Sequence, residues 1–231
     1  MRWQMARTLD VASHAVKRDA FVDAAQRLLL TRSYDQVSIG DILGELGASR
    51  GAFYHYFDSK SALLDAVIDR MIDGAVGVIL PIVRDPERSA TRKLADVFAG
   101  IGRFKGERTD LVKGILEVWL ADENAIVRDR LKRRIRTMLV PVFATIIEQG
   151  IAEGEFQTSS PKQTAATLVS LMLGVNDVAL ELYFDRLAGE VTLEEVERTF
   201  EAYSEAFERI LGARPGSLVL TDVATIRQWF G

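Results

Sequence analysis

Apolar residues recur at intervals of three and four along most of the chain, the spacing that lines one face of a helix. The first clear stripe lies within residues 14–31 and runs through Phe21, Ala24, Ala25, Leu28 and Leu29. The segment "TRSYDQV" interrupts it. A second, shorter stripe follows at Ile39, Ile42, Leu43 and Leu46, with Ser38 placed to cap its start. Gly47 stands where a left-handed C-terminal residue is wanted. Ser49 can cap a third short helix, and Asp58 or Ser59 a fourth that carries Leu63, Leu64, Val67, Ile68 and Met71. Two short capped helices joined by "GAS", after a longer helix, predict a helix-turn-helix.

The pattern stays helical beyond the loop "RDPERSA". Residues 89–105 carry Leu94, Val97, Phe98, Ile101 and Phe104, and 110–121 carry Leu111, Ile115, Leu116, Trp119 and Leu120. Residues 124–151 place Val127, Leu131, Ile135, Met138, Val142, Ile146 and Ile147 inward, with Pro141 as a kink. Residues 161–187 are apolar around almost the whole circumference. The next helix opens on a capping box, Thr192 and Glu195, and repeats Val196, Phe200, Tyr203, Phe207 and Ile210.

The fold class is therefore all-α. An N-terminal helix-turn-helix domain spans residues 10–60, a connecting helix 61–74 and a larger helical domain 75–213, while residues 214–231 have no evident partner. The helices at 161–187 and after Thr192 carry more apolar surface than one bundle absorbs. A second subunit covering them, a homodimer, explains this more economically than a monomer that buries both.

Composition adds exclusions. The 48% hydrophobic content of 231 residues is ample for a core, and the absence of cysteine removes disulfides and thiolate chemistry. The N-terminus lacks the apolar stretch of a secretory signal, and the longest uncharged apolar run, "VGVILPIV", is too short to cross a bilayer. A cytoplasmic protein without membrane association is expected. The net charge of −4 argues against nucleic acid as a partner when read alone. Residues 1–60, however, hold 8 Lys+Arg against 7 Asp+Glu, a balance of +1, so the whole deficit lies further on.

The stretch "SRGAFYHYFDSK", residues 49–60, concentrates the chemistry. At roughly 100° of rotation per residue, Phe53 and Phe57 share one face with Ala52, and Arg50 and Tyr54 point elsewhere beside Gly51 and His55. The first set suits the core of a three-helix domain, and the second suits a surface entering a major groove. Tyr56 lies at the border. Ser49, Arg50, Tyr54, His55 and Lys60 can all donate to phosphate oxygens, Gly51 lets the backbone come close, and Arg50 is the best reader of a guanine.

"SIGDILGELGASRGAFYHYFDSKSALLDAVID" resembles the DNA-binding segment of TetR-family transcriptional regulators. The turn, small residue, aromatic-rich helix and following Ser-Lys occur in that family's order. Ser33, where many members have glycine, and Phe53, often leucine, depart from the pattern. The resemblance implies a dimer on a double-stranded DNA operator and a C-terminal pocket whose small-molecule effector alters DNA binding, most often as a repressor. It gives Ser38 and Ser49 capping and phosphate contacts, Arg50, Gly51 and Tyr54 the base edges or adjacent backbone, and His55 and Lys60 the phosphates.

For the effector pocket, Phe98, Phe104, Trp119, Met138, Phe143 and Met172 supply apolar material. Glu117, Asn176 and Asp177 are polar residues within apolar stretches. Such a lining favours a hydrophobic or amphipathic molecule. The basic run "RDRLKRRIR", residues 128–136, keeps its helical period and reads as a solvated face. Only two histidines occur, His14 and His55, and no metal-binding pair, glycine-rich phosphate loop or nucleophile elbow is present. No enzyme, cofactor or metal is expected. The alternative to a regulator is a helical protein-interaction module without ligand response.

Overall fold

The computed structural model describes residues 2–32, 34–109, 112–113 and 125–231, with side chains except those of 2–13, 126 and 127. Among the described residues every regular element is a helix. These are α1 Arg2–Leu29, α2 Ile39–Leu46, α3 Arg50–Tyr56, α4 Lys60–Arg84, α5 Ala90–Gly106, α6 Ala125–Ala152, α7 Pro161–Ala188, α8 Leu193–Leu211 and α9 Val223–Phe230. The chain divides into two compact units, with a boundary inside α4 between Asp73 and Gly74. The second unit comprises Gly74–Arg108 and Asp129–Gly231.

In the first unit, Phe21, Val22, Ala24, Ala25 and Leu29 of α1 are buried, as are Val37, Ile42, Phe53, Phe57, Leu63, Leu64 and Val67. Local signals set the breaks between its helices. Ser38 Oγ accepts from the Asp41 backbone N–H at 3.1 Å, and the Asp41 carboxylate accepts from the Ser38 N–H at 2.8 Å, completing a capping box at α2. Gly47 ends that helix at φ 59°, a conformation in which a Cβ would be strained. Ser49 Oγ caps α3 through Ala52 N–H at 3.2 Å, and Ser59, rather than Asp58, caps α4 through Ala62 N–H at 3.0 Å. Exposed ion pairs join Arg27 to Glu45 at 2.5 Å and Arg70 to Asp19 at 3.0 Å and to Asp23, linking α1 to α2 and α4.

Two helices are longer than their stripes predict. α1 begins at Arg2 rather than near residue 14, and α4 continues to Arg84, ten residues past the expected end at 74. Pro81 lies inside α4 and costs one backbone hydrogen bond. Around it Ile79 is buried, and Ile82 and Val83 pack on the core, so tertiary contacts hold the helix through the proline.

The second unit's core gathers Leu94 and Val97 of α5, Leu139, Phe143, Ile146 and Ile147 of α6, Leu168, Val169 and Met172 of α7, and Phe207 and Leu211 of α8. α6 runs unbroken through Pro141, and α8 opens on the expected capping box, with Thr192 N–H donating to the Glu195 carboxylate at 2.7 Å. The start of α5 is capped locally by Ser89, whose Oγ accepts from Arg92 N–H at 3.4 Å, and also from a distance. Ala90 N–H donates to Glu153 and Thr91 N–H to Glu155, both at 2.8 Å, placing two carboxylates at the positive end of the helix. Segments Arg128–Ala152 and Pro161–Ala188, at mean hydropathies of 1.3 and 1.5, are long and apolar enough to cross a membrane by composition. Here both supply core residues of this unit.

The tail left unassigned by its sequence is part of this unit. Leu218 and Leu220 enter the main core. The buried Glu208 carboxylate accepts from Gly216 N–H at 3.0 Å and Leu218 N–H at 2.8 Å. Asp222 then caps α9 through Thr225 N–H at 2.6 Å. Ile226 and Phe230 of α9 bury against Val196 and Phe200, with Val175, Ala179, Leu182 and Tyr183 of α7 packed around them. Part of the apolar surface that pointed to a second subunit is thus covered by the chain itself. α9 also approaches α5 closely, since a Cβ on Gly106 would lie 2.9 Å from the Gln228 side chain.

Candidate nucleic-acid interface

The two-faced reading of α3 holds in the structure. Phe53 is fully enclosed and Phe57 nearly so. Their rings pack on Phe21, at centroid distances of 5.7 Å for Phe53 and 6.2 Å for Phe57, which anchors α3 to α1. Arg50, Gly51, Tyr54 and His55 are exposed on the same short helix. Tyr54, at 50% exposure, still rests edge-on against Phe53 at 5.4 Å, so its hydroxyl is presented outward from a supported ring. Arg50 and Gly51 contribute the first N–H groups of the helix, which have no intrahelical acceptor.

Tyr56, at the border by rotation, is half-buried between Phe21 at 5.7 Å and His14 at 4.7 Å. The His14 ring also lies 5.4 Å from that of His55, so the chain's two histidines meet across α1 and α3. The sequence reading assigned nothing to His14. A polar ring one helix away carries no periodic signal of its own.

The two capping serines differ in what they have left to donate. Ser38 Oγ gives its single proton to the Asp41 carboxylate at 2.5 Å, so a phosphate contact through that hydroxyl would require breaking this bond. Ser49 Oγ accepts from Ala52 N–H and keeps its proton for an outside acceptor. The Ser38 hydroxyl and backbone and the Arg32 guanidinium hold the Asp41 carboxyl down at a pKa of about 2.

Lys60 is used internally. Its ammonium donates to the Tyr34 carbonyl oxygen at 2.6 Å and lies 3.9 Å above the Tyr34 ring, tying the segment after α1 to the start of α4. Desolvation lowers its pKa, opposed by Asp35 and Asp41. An ammonium has three protons, so a phosphate contact remains open to the other two.

Those of the residues expected around an effector that are described all belong to the second unit. Phe143 is fully buried in the core, and the half-buried Phe98 ring packs against that core, meeting Phe143 at 6.0 Å and Phe207 at 5.4 Å. Phe104 and Met172 are buried and Met138 is half-buried. Asn176 accepts from Lys105 Nζ at 2.8 Å, and Asp177 pairs with Lys132 of α6 at 2.7 Å. Glu117 and Trp119, like the whole of 114–124, lie outside the described residues. In the basic run, Arg133 pairs with Asp129 at 2.9 Å, and Arg130, Arg133, Arg134 and Arg136 are exposed, as a solvated face requires.

A tightly anchored short helix that presents arginine, glycine and tyrosine after a three-residue turn defines a helix-turn-helix DNA-binding protein. Residues 21–67 match the family described as bacterial regulatory proteins, tetR family. The chain is 26% identical over 194 residues, 78% of its length and 87% of the relative's, to the HTH-type transcriptional regulator YfiR of Bacillus subtilis. It is 26% identical over 167 residues, 71% of its length and 79% of the relative's, to the HTH-type transcriptional repressor BepR of Brucella suis. A TetR transcription regulator from Haloarcula marismortui shares the fold at a TM-score of 0.60 and 21% identity, over 86% of this chain and 97% of that one. A transcriptional regulator from Cytophaga hutchinsonii does so at 0.54 and 18%, over 92% and 98%. The match places the helix-turn-helix segment, residues 21–67, with the tetR family of bacterial regulatory proteins.

Proposed function

We propose that the protein is a homodimeric repressor, acting in the cytoplasm, that leaves its operator when a small hydrophobic or amphipathic molecule binds the second unit. The observation that carries the DNA side is the division of α3 into a buried Phe53/Phe57 anchor and an exposed Arg50, Gly51, Tyr54 and His55 surface. Arg50 reads a base edge, Tyr54 and Gly51 meet base edges or the adjacent backbone, and His55, Ser49 and Lys60 take phosphates. Support for repression comes from BepR, which is named a repressor. Support for a dimer comes from Leu187, 68% exposed on α7, and the half-buried Val178 and Phe184 beyond the surface that α9 covers.

The test is recovery of bound duplexes from a random pool, repeated with ligands present. The expected outcome is a two-fold repeated motif with half-site centres about 34–36 Å or a multiple apart, lost when effector is added. Arg50→Ala should relax preference at one base position of each half-site. A pool with no enriched motif would leave the helical interaction module as the better reading, and enrichment unaffected by any ligand would remove the effector.

A further inference from the structure

Two lysines on α5 point into the second unit under different circumstances. Lys93, 4% exposed, donates to Gln149 Oε1 at 2.7 Å, and the amide of Gln149 donates in turn to the Glu153 carboxylate at 2.6 Å, so its charge is answered within a closed network. Lys105, twelve residues later, has one hydrogen-bond partner among the described residues, the neutral Asn176 Oδ1 of α7 at 2.8 Å. The neighbouring carboxylate, Asp177, is engaged by Lys132. Desolvation lowers the Lys105 pKa with no carboxylate opposing it, in contrast to Lys60, where Asp35 and Asp41 do. Lys105 is half-buried, and among the described residues its ammonium is held by an amide oxygen alone, without the counter-charge that offsets desolvation.

The surroundings are those of an amphipathic site. Asn176 is exposed although it stands mid-helix, with the buried Met172 and Leu173 one turn before it and Leu180 one turn after. Its other amide group is fixed by donation to the Met172 carbonyl at 2.8 Å, which leaves Oδ1 directed at the ammonium. Along α5 from Lys105, Ile101 lies one turn back and Phe98 two turns back, both partly buried against the core. Seven residues at 1.5 Å each separate Lys105 from Phe98 by roughly 10 Å, about the reach of an extended eight-carbon chain.

We propose that the Lys105 ammonium, oriented by Asn176, binds the carboxylate of a monoanionic amphiphile whose apolar tail lies along Ile101, Met172 and Phe98. This names the chemical class of the effector and so rests on the ligand-responsive reading above. The carboxylate supplies the missing charge, and a charge-assisted hydrogen bond in a desolvated position is strong.

The test is calorimetric titration of the full-length protein with octanoate and with octan-1-ol, which has the same tail and no charge. Wild type should bind octanoate more tightly than octanol. Lys105→Met should weaken octanoate by about tenfold to a hundredfold while leaving octanol within about twofold, and Lys105→Arg should retain the preference for the acid. Equal octanoate affinity in wild type and Lys105→Met, equal affinity of wild type for acid and alcohol, or no octanoate binding at all would each overturn the assignment. The wild-type comparison decides the matter even if Lys105→Met fails to fold. Octanoate bound through Lys105 without any change in operator affinity would uphold the anion site and sink the release mechanism instead.

Discussion

The two units reach stability by different routes. The first is organised by signals within a few residues of each other: a capping box at Ser38 and Asp41, a left-handed glycine at 47, a cap at Ser49 and another at Ser59. The second has local caps too, at Ser89, Thr192 and Asp222, but adds contacts between distant segments: Glu153 and Glu155 receive N–H groups of a helix more than sixty residues earlier in the chain, and Glu208 holds backbone N–H groups of the tail. Local signals survive in the sequence as recognisable spacing. Remote ones do not, because a carboxylate that caps another helix looks like any surface acid until the chain has folded.

The largest test of this difference is removal of a ring from each core. Phe53→Ala and Phe207→Ala each delete a fully buried side chain and should cost about 3–5 kcal/mol in chemical denaturation. Only Phe53→Ala should abolish operator binding at temperatures where the remaining structure persists, because it frees α3 from α1. Equal loss of DNA binding in both would mean that the units do not keep their roles apart.

Next in size is Glu208→Gln. One acceptor oxygen becomes an amide NH2 that faces a backbone N–H donor, and the second unit should lose about 1–3 kcal/mol with DNA binding intact below its lowered melting temperature. Lys60→Ala should lower the stability of the first unit by about 1–2 kcal/mol through loss of the Tyr34 carbonyl bond and ring contact. If it also reduces the salt dependence of operator binding, the same ammonium serves phosphate as well; an unchanged salt slope would confine it to its internal role.

The smallest expected effects separate the serines. Ser38→Ala and Ser49→Ala each remove a cap at a cost of about 1 kcal/mol, measured by thermal unfolding. Operator affinity should fall further for Ser49→Ala, whose hydroxyl proton is available, than for Ser38→Ala. The reverse order would assign the phosphate contact to Ser38. In acid, the depressed Asp41 carboxyl contributes stability above its unfolded value of 3.8, and this is lost as pH falls toward about 2. Asp41→Asn should flatten that part of the first unit's stability profile.

Much of the architecture was legible, and so was the division of α3, because Phe53 and Phe57 against Arg50 and Tyr54 is a matter of rotation along one helix. Tyr56 and Lys60 were harder. Their positions are set by His14 and Tyr34, which belong to another part of the chain. Asn176 stood out as a polar residue in an apolar stretch, yet its partner Lys105 is seventy-one residues away and unmarked by any pattern. The tail was illegible for the same reason: Leu218, Ile226 and Phe230 acquire meaning only from the surfaces of α7 and α8 that receive them.

The bond between Glu208 and the backbone of Gly216 and Leu218 also bears on how the protein is made. While the chain emerges from the ribosome, α5 to α8 can gather before the tail is free, but their core then lacks Leu218 and Leu220 and holds a carboxylate without its donors. The second unit therefore completes its folding only once residues 216–230 have been released, whereas the first unit can settle while synthesis is still under way.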